Sequence, residues 1–143
     1  MAEAETHAAI DDVAREFALL SDWEERYGHI IDLGKALEPL SETERCEANK
    51  VRGCASQVWL TSQVRDGRLH FRGDSDALIV RGLIAILLRI FSGRTSQDIL
   101  AADPRAAFSR LGLADALTMQ RSNGVIAMIE RMRHDAAALG AAT

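Results

Sequence analysis

Two adjacent residues, Asp66 and Gly67, constrain the fold most. Both tolerate the positive φ that a two-residue hairpin turn demands at its centre. On either side the sequence alternates with period two. Val58, Leu60, Ser62 and Val64 share one face, and Trp59, Thr61, Gln63 and Arg65 share the other. Counting outward from the turn pairs Val64 with Leu69 and Ser62 with Phe71 on the face toward a core. The opposite face then carries Gln63, Arg65, Arg68, His70 and Arg72, which reads as wet and makes His70 a surface residue rather than a base. Trp59 is the exception on that face, because a large apolar ring there needs cover. The only strand region is this one, whereas a doubly wound sheet needs strands alternating with helices. The pattern therefore predicts an α+β domain with helices gathered on one face of an antiparallel sheet.

Helical periodicity occupies the rest. Ile10, Val13, Phe17 and Leu20 space a first helix over 7–20. Ser21 and Glu24 form a capping box for a second, whose apolar stripe is Trp23, Tyr27, Ile30, Ile31 and Gly34 and which Pro39 stops. Residues 39–50 are polar and read as a mobile surface segment. Gly73-Asp74-Ser75-Asp76 ends the hairpin and offers side-chain oxygens to cap the next helix. That helix, 77–91, is apolar nearly all round and is the central one. Gly82 within it costs roughly 1 kcal/mol relative to Ala unless another element packs closely there. Thr95 and Asp98 open a short helix, Asp103-Pro104 opens another that ends at Gly112, and Ser122-Asn123-Gly124 precedes the last, with Val125, Ile126, Ile129 and Met132 inward. Arg131, Arg133 and His134 lie toward its C-terminal end, where cations suit the helix dipole.

The 143 residues are most simply one domain, 1–143, with 1–6 and the alanine-rich 139–143 expected to fray. A net charge of −4 and a pI near 5.5, with no basic run, argue against a nucleic-acid-binding surface. The run 77–91 is interrupted by Arg81 and Arg89 and is too short to span a bilayer, so no membrane partner is expected. The first six residues carry Glu3 and Glu5 and no positive charge, unlike a secretory signal, which makes a reducing cytoplasmic setting the expectation.

Chemistry narrows to one side chain. No phosphate-binding glycine loop is present, and Cys46 and Cys54 are too few and too far apart in sequence for a cysteine metal site. None of the four histidines stands in a recognisable catalytic context. Cys54 sits between Gly53 and Ala55 where the polar segment becomes the first strand, with Lys50 and Arg52 as a basic neighbourhood able to favour the thiolate. A small cysteine packing as an apolar residue is the alternative. A nucleophilic thiol with no base, metal or phosphate loop beside it suits a carrier that relies on partners for the remaining chemistry.

The stretch Asn49-x-Val51-x-Gly53-Cys54-x-Ser56-Gln57-Val58-Trp59-Leu60 resembles the signature of the SufE family of cysteine desulfuration proteins. Gly73-Asp74-Ser75-Asp76-Ala77-x-Ile79-Val80-x-Gly82-Leu83-Ile84-Ala85, Thr95-x-Gln97-Asp98-Ile99 and Arg121-Ser122-Asn123-Gly124 are similar to later family segments in the same order, and Tyr27-x-x-Ile30-Ile31-x-Leu33-Gly34 fits the early helix. The resemblance implies the SufE/IscU-like fold, a hairpin plus a short strand with helices on one side. It implies that Cys54 accepts persulfide sulfur from a pyridoxal-phosphate cysteine desulfurase of the SufS type. The protein would stimulate that enzyme and pass the sulfur to a SufB-containing iron–sulfur scaffold. On this reading it is not itself an enzyme, and it needs no cofactor or metal, the pyridoxal phosphate belonging to the partner. A loop hiding Cys54 against apolar residues until docking would shield the persulfide. Arg52, Asp74 and Arg121 are candidates for docking the partner or holding the loop. Ala55 departs from relatives with a larger residue there. Cys46 lies outside the signature and is either an incidental surface thiol or a resolving cysteine. A cluster scaffold and a thiol redox sensor are the alternative functions.

Overall fold

A computed structural model describes residues 2–141, and it is an α+β fold of six α-helices and a three-stranded antiparallel sheet. The chain runs α1 (Ala2–Ala18), α2 (Trp23–Ala36), β1 (Val58–Arg65), β2 (Arg68–Ser75), α3 (Leu78–Phe91), β3 (Arg94–Thr95), α4 (Ser96–Ala101), α5 (Pro104–Leu111) and α6 (Met119–Ala141). Single 3-10 turns lie at Glu47–Asn49 and Ala114–Ala116.

The hairpin has the expected register, Val64 opposite Leu69 and Ser62 opposite Phe71, with Asp66 at φ 54° and Gly67 at φ 74°. β3 adds to the free edge of β2, giving the order β1-β2-β3. Val58, Leu60, Leu69 and Phe71 are buried on the face that α3 and α6 cover. Trp59 finds its cover on the other face, where the Arg45 guanidinium stacks 5.6 Å from its ring centre.

α3 is the central helix, and its buried face includes Ile79, Leu83, Ile86, Leu87 and Ile90. Gly82 is the close contact expected of it: a Cβ there would collide with the Ile30 carbonyl of α2. Gly34 of α2 faces the Leu78 carbonyl and the Gly82 amide in the same way, so the two backbones cross with nothing between them.

Several boundaries differ from the sequence reading. The cap of α2 is Asp22, which accepts from the Glu25 amide at 2.9 Å, while Ser21 bonds the Glu25 carboxylate. Trp23 is then the first residue of the helix and is 58% exposed instead of joining the apolar stripe. β2 runs through Asp74 to Ser75, so Asp74 does not cap α3. α6 starts at Met119, with the Thr118 hydroxyl accepting from the Arg121 amide, and Ser122-Asn123-Gly124 lies inside its first turns. Of the ends expected to fray, 2–6 and 139–141 continue α1 and α6. Thr6 is buried, and Glu5 reaches Arg94 at 3.6 Å. Met1, Ala142 and Thr143 lie outside the described residues. Among the described residues no helix is long and apolar enough to cross a membrane.

Candidate functional site

Cys54 is carried on a short loop whose base is closed. The Val51 amide donates to the Val58 carbonyl at 2.8 Å, and Lys50 bridges to Trp59, so residues 52–57 protrude from a two-stranded neck. Gly53 supplies the positive φ of 86° that turns the backbone and drops Cys54 onto α6, and a Cβ at Gly53 would lie 3.2 Å from that of Ala127.

The thiol faces inward. Its Sγ lies 3.6 Å from the Gly124 carbonyl of α6, to which the S–H donates. It also lines a cavity of about 180 Å³. Val80 and Leu83 of α3 and Met128 of α6 form the apolar side, and Thr118, Gln120 and Arg121 form a polar side. Burial pushes the Cys54 pKa up, with no cation offsetting it. The basic neighbourhood expected of Lys50 and Arg52 is thus not realised at the sulfur: Arg52 is 73% exposed and pairs with Glu47 at 2.8 Å. Desolvation and the carbonyl acceptor both favour the neutral thiol.

The structure brings Arg121 to the Cys54 cavity and keeps Arg52 out of it. Asp74 is elsewhere, fully buried at the end of β2, where it gathers four donors. These are the Leu40 amide at 2.9 Å, the Ser75 amide at 2.8 Å, Arg45 at 2.6 Å, and Arg81. Burial raises its pKa, but the Leu40 amide, Arg45, the Ser75 amide and Arg81 together outweigh that, so it is lowered overall. Arg81 also donates to the Gly34 and Leu37 carbonyls at the end of α2. The polar segment after α2, read as mobile, is therefore tied at Leu40 and Arg45 to a buried carboxylate. Cys46 is exposed at the start of the 3-10 turn and makes no side-chain cap there. Among the described residues no three His, Cys, Asp or Glu side chains group to hold a metal ion.

Sequence reasoning missed one contact near the loop. Arg131, placed with the C-terminal cations, lies mid-helix. Its guanidinium donates to the Lys50 and Ala48 carbonyls, each at 2.8 Å, and to Asp135 at 3.0 Å. The only trace in the sequence is the i, i+4 spacing of Arg131 and Asp135.

The fold and site together define a small α+β domain that presents one cysteine on a necked loop over a partly apolar cavity. Residues 11–136 match the family model described as SufE, Fe-S metabolism associated domain. An uncharacterised SufE-like protein of Rhizobium etli is 46% identical over 139 residues, covering 94% of each chain. A second, from Rhizobium meliloti, is 46% identical over 132 residues, covering 90% of this chain and 94% of its own. The solution structure of a hypothetical protein from Thermus thermophilus superposes with a TM-score of 0.74 at 18% identity, over 90% of this chain and 93% of that one, a likeness of fold. The chain belongs to the SufE family and is thereby associated with iron–sulfur metabolism.

Proposed function

We propose that this protein, working as one SufE-like domain in the cytoplasm, carries sulfur from a SufS-type cysteine desulfurase to a SufB-containing cluster scaffold, with Cys54 as the carrying atom. The observation that carries this reading is the position of Cys54: the loop extends from a closed neck, yet its thiol turns into a cavity with room beyond the sulfur. In the transfer step the Cys54 thiolate attacks the outer sulfur of the donor persulfide. A new S–S bond forms to Cys54, the donor's S–S bond breaks, and the donor cysteine leaves as its thiolate. The pyridoxal phosphate that generates the donor persulfide belongs to the desulfurase.

The burial of Cys54 gives the partner a part in activation. Inside its cavity the thiol is held protonated, so attack requires the loop to turn outward into the partner's site, where cations can lower its pKa. Arg121, lining the cavity, and Met119, next to it and 81% exposed, offer a cation and an apolar contact to a docking surface. Turned back, the persulfide's outer sulfur is received by Val80, Leu83 and Met128, away from solvent reductants.

The test is incubation with a cognate desulfurase and sulfur-labelled cysteine, followed by peptide mass analysis. The label is expected on the peptide containing Cys54 and absent in Cys54→Ala, which also loses stimulation of the enzyme. Full stimulation by Cys54→Ala, or label on Cys46 alone, overturns the reading.

A further inference from the structure

The loop that bears Cys54 is anchored twice to α6, and only one anchor is the cysteine itself. The second is Arg131. Its two terminal nitrogens fork onto the consecutive structural elements that lead into the loop, the Ala48 carbonyl in the 3-10 turn and the Lys50 carbonyl at the neck, each at 2.8 Å. Its Nε donates to Asp135 at 3.0 Å, and the other oxygen of Asp135 accepts from the Ser62 hydroxyl of β1 at 2.5 Å. Both charged side chains are largely covered, 21% and 14% exposed. The guanidinium is therefore held from behind by the sheet through Ser62 and Asp135, and in front it holds backbone rather than another side chain. A planar fork meets two carbonyls at fixed geometry, which a lysine cannot reproduce.

Gly124, Ala127, Met128 and Arg131 fall along one face of α6, and they meet in turn the Cys54 sulfur, Gly53, the cavity and the neck. α6 is thus the bed for the entry side of the loop through Cys54, while its exit at Gln57 is held by Ser75 and Asp76. The sulfur's contact to it is a weak thiol hydrogen bond, easily given up, whereas the contact at the neck is a charge-assisted fork.

Resting on the reading of Cys54 as the sulfur acceptor, we infer that Arg131 is a positioning residue for it: the Ser62–Asp135–Arg131 chain fixes the start of the loop, so that the thiol returns to one place against Gly124 after each excursion. Arg131 touches neither sulfur nor donor. It acts through the backbone of residues 48–50.

The test compares wild type with Arg131→Ala and Arg131→Lys. It reads Cys54 alkylation by iodoacetamide, localised by peptide mass, alongside the thermal midpoint and the kcat and KM of desulfurase stimulation. Loss of two charge-assisted hydrogen bonds at the neck is expected to raise the Cys54 alkylation rate of Arg131→Ala on the order of tenfold. Alkylation of Cys46 serves as the internal reference. Arg131→Lys keeps the charge beside Asp135, so it is expected to recover most of the thermal midpoint while leaving Cys54 almost as reactive as in Arg131→Ala. KM for the desulfurase is expected to rise more than kcat falls, because a loosely based loop must be ordered on docking. A Cys54 alkylation rate equal to wild type in both variants overturns the inference, as does a lysine variant that restores stability and thiol protection together. Should Arg131→Ala fail to fold, the lysine variant decides alone. Because alkylation does not depend on sulfur transfer, these outcomes are separate from a failure of the carrier reading, which Cys54→Ala reports.

Discussion

The Cys54 thiol and the Gly124 carbonyl face each other at 3.6 Å, and this contact exists only while the sulfur keeps its proton. A thiolate would set a negative charge against a carbonyl oxygen inside a partly apolar cavity. The resting protein therefore holds this thiol in an unreactive form.

That arrangement predicts a pH dependence. Alkylation of Cys54 is expected to follow a titration midpoint above the ordinary thiol value, because burial raises its pKa. The sign for stability follows. Between the unfolded and the raised folded pKa the unfolded chain binds fewer protons, so stability falls as pH rises through that window. Below the unfolded pKa the favourable term is fully present. Urea unfolding between pH 7 and pH 10 is expected to show this loss in wild type and a smaller one in Cys54→Ala. Equal slopes would contradict it.

Asp74 makes the opposite prediction. Its carboxyl is fully buried among Arg45, Arg81 and two amides, so Asp74→Ala leaves Arg81, itself only 17% exposed, without its countercharge. Breaking such a buried pair costs roughly 3–5 kcal/mol, read as a lowered urea midpoint. Because the folded pKa is depressed, the carboxylate's contribution is present above the ordinary carboxylate range and is lost as pH falls through the lower folded value. The difference between wild type and Asp74→Asn is expected to shrink on acidification.

At the α2–α3 crossing, Gly82→Ala sets helix propensity against packing. An exposed site would gain about 1 kcal/mol from the change. Here the new methyl meets the Ile30 carbonyl, and overpacking of this kind costs roughly 1–3 kcal/mol. A lowered thermal midpoint is the expected result, and an unchanged or raised one would show that α2 yields.

On the proposed carrier reading, Arg121 separates docking from folding. Its side chain lines the cavity rim, so Arg121→Ala is expected to shift stability by no more than about 0.5 kcal/mol. Titration with the desulfurase, followed by calorimetry, is expected to show weaker binding. A large loss of thermal stability with full affinity would reverse the assignment.

Features set by local rules were legible in the sequence. Asp66-Gly67 determined the register to Ser75 because a two-residue turn leaves no slack, and the apolar circumference of α3 placed it at the centre. That Cys54 and Arg121 line one cavity is a structural fact the signature segments alone did not state. What was hidden depended on partners distant in sequence. Asp74 reads as a helix cap beside Ser75 and Asp76, and only the return of Leu40 and Arg45 shows it to be a buried hub. Trp23 fits a helical stripe, yet it stands at the very start of α2 and is left exposed. Lys50 and Arg52 look like activators of a nearby thiol, but adjacency in sequence says nothing about which way a strand-like neck points its side chains. Arg131 binds backbone carbonyls, which leave no residue-type signature to recognise.

The closed neck at Val51 and Val58 has a mechanical consequence. Because the ends of the loop are already joined, turning residues 52–56 outward, about a Gln57 that Ser75 and Asp76 hold, leaves the sheet, α3 and the buried Asp74 hub undisturbed. Flipping so short a segment belongs to the nanosecond-to-microsecond range of loop motions, far faster than any opening that exposes a core. On the proposed carrier reading, delivery can then repeat many times without the domain ever passing through a partly unfolded form that would expose apolar surface to aggregation.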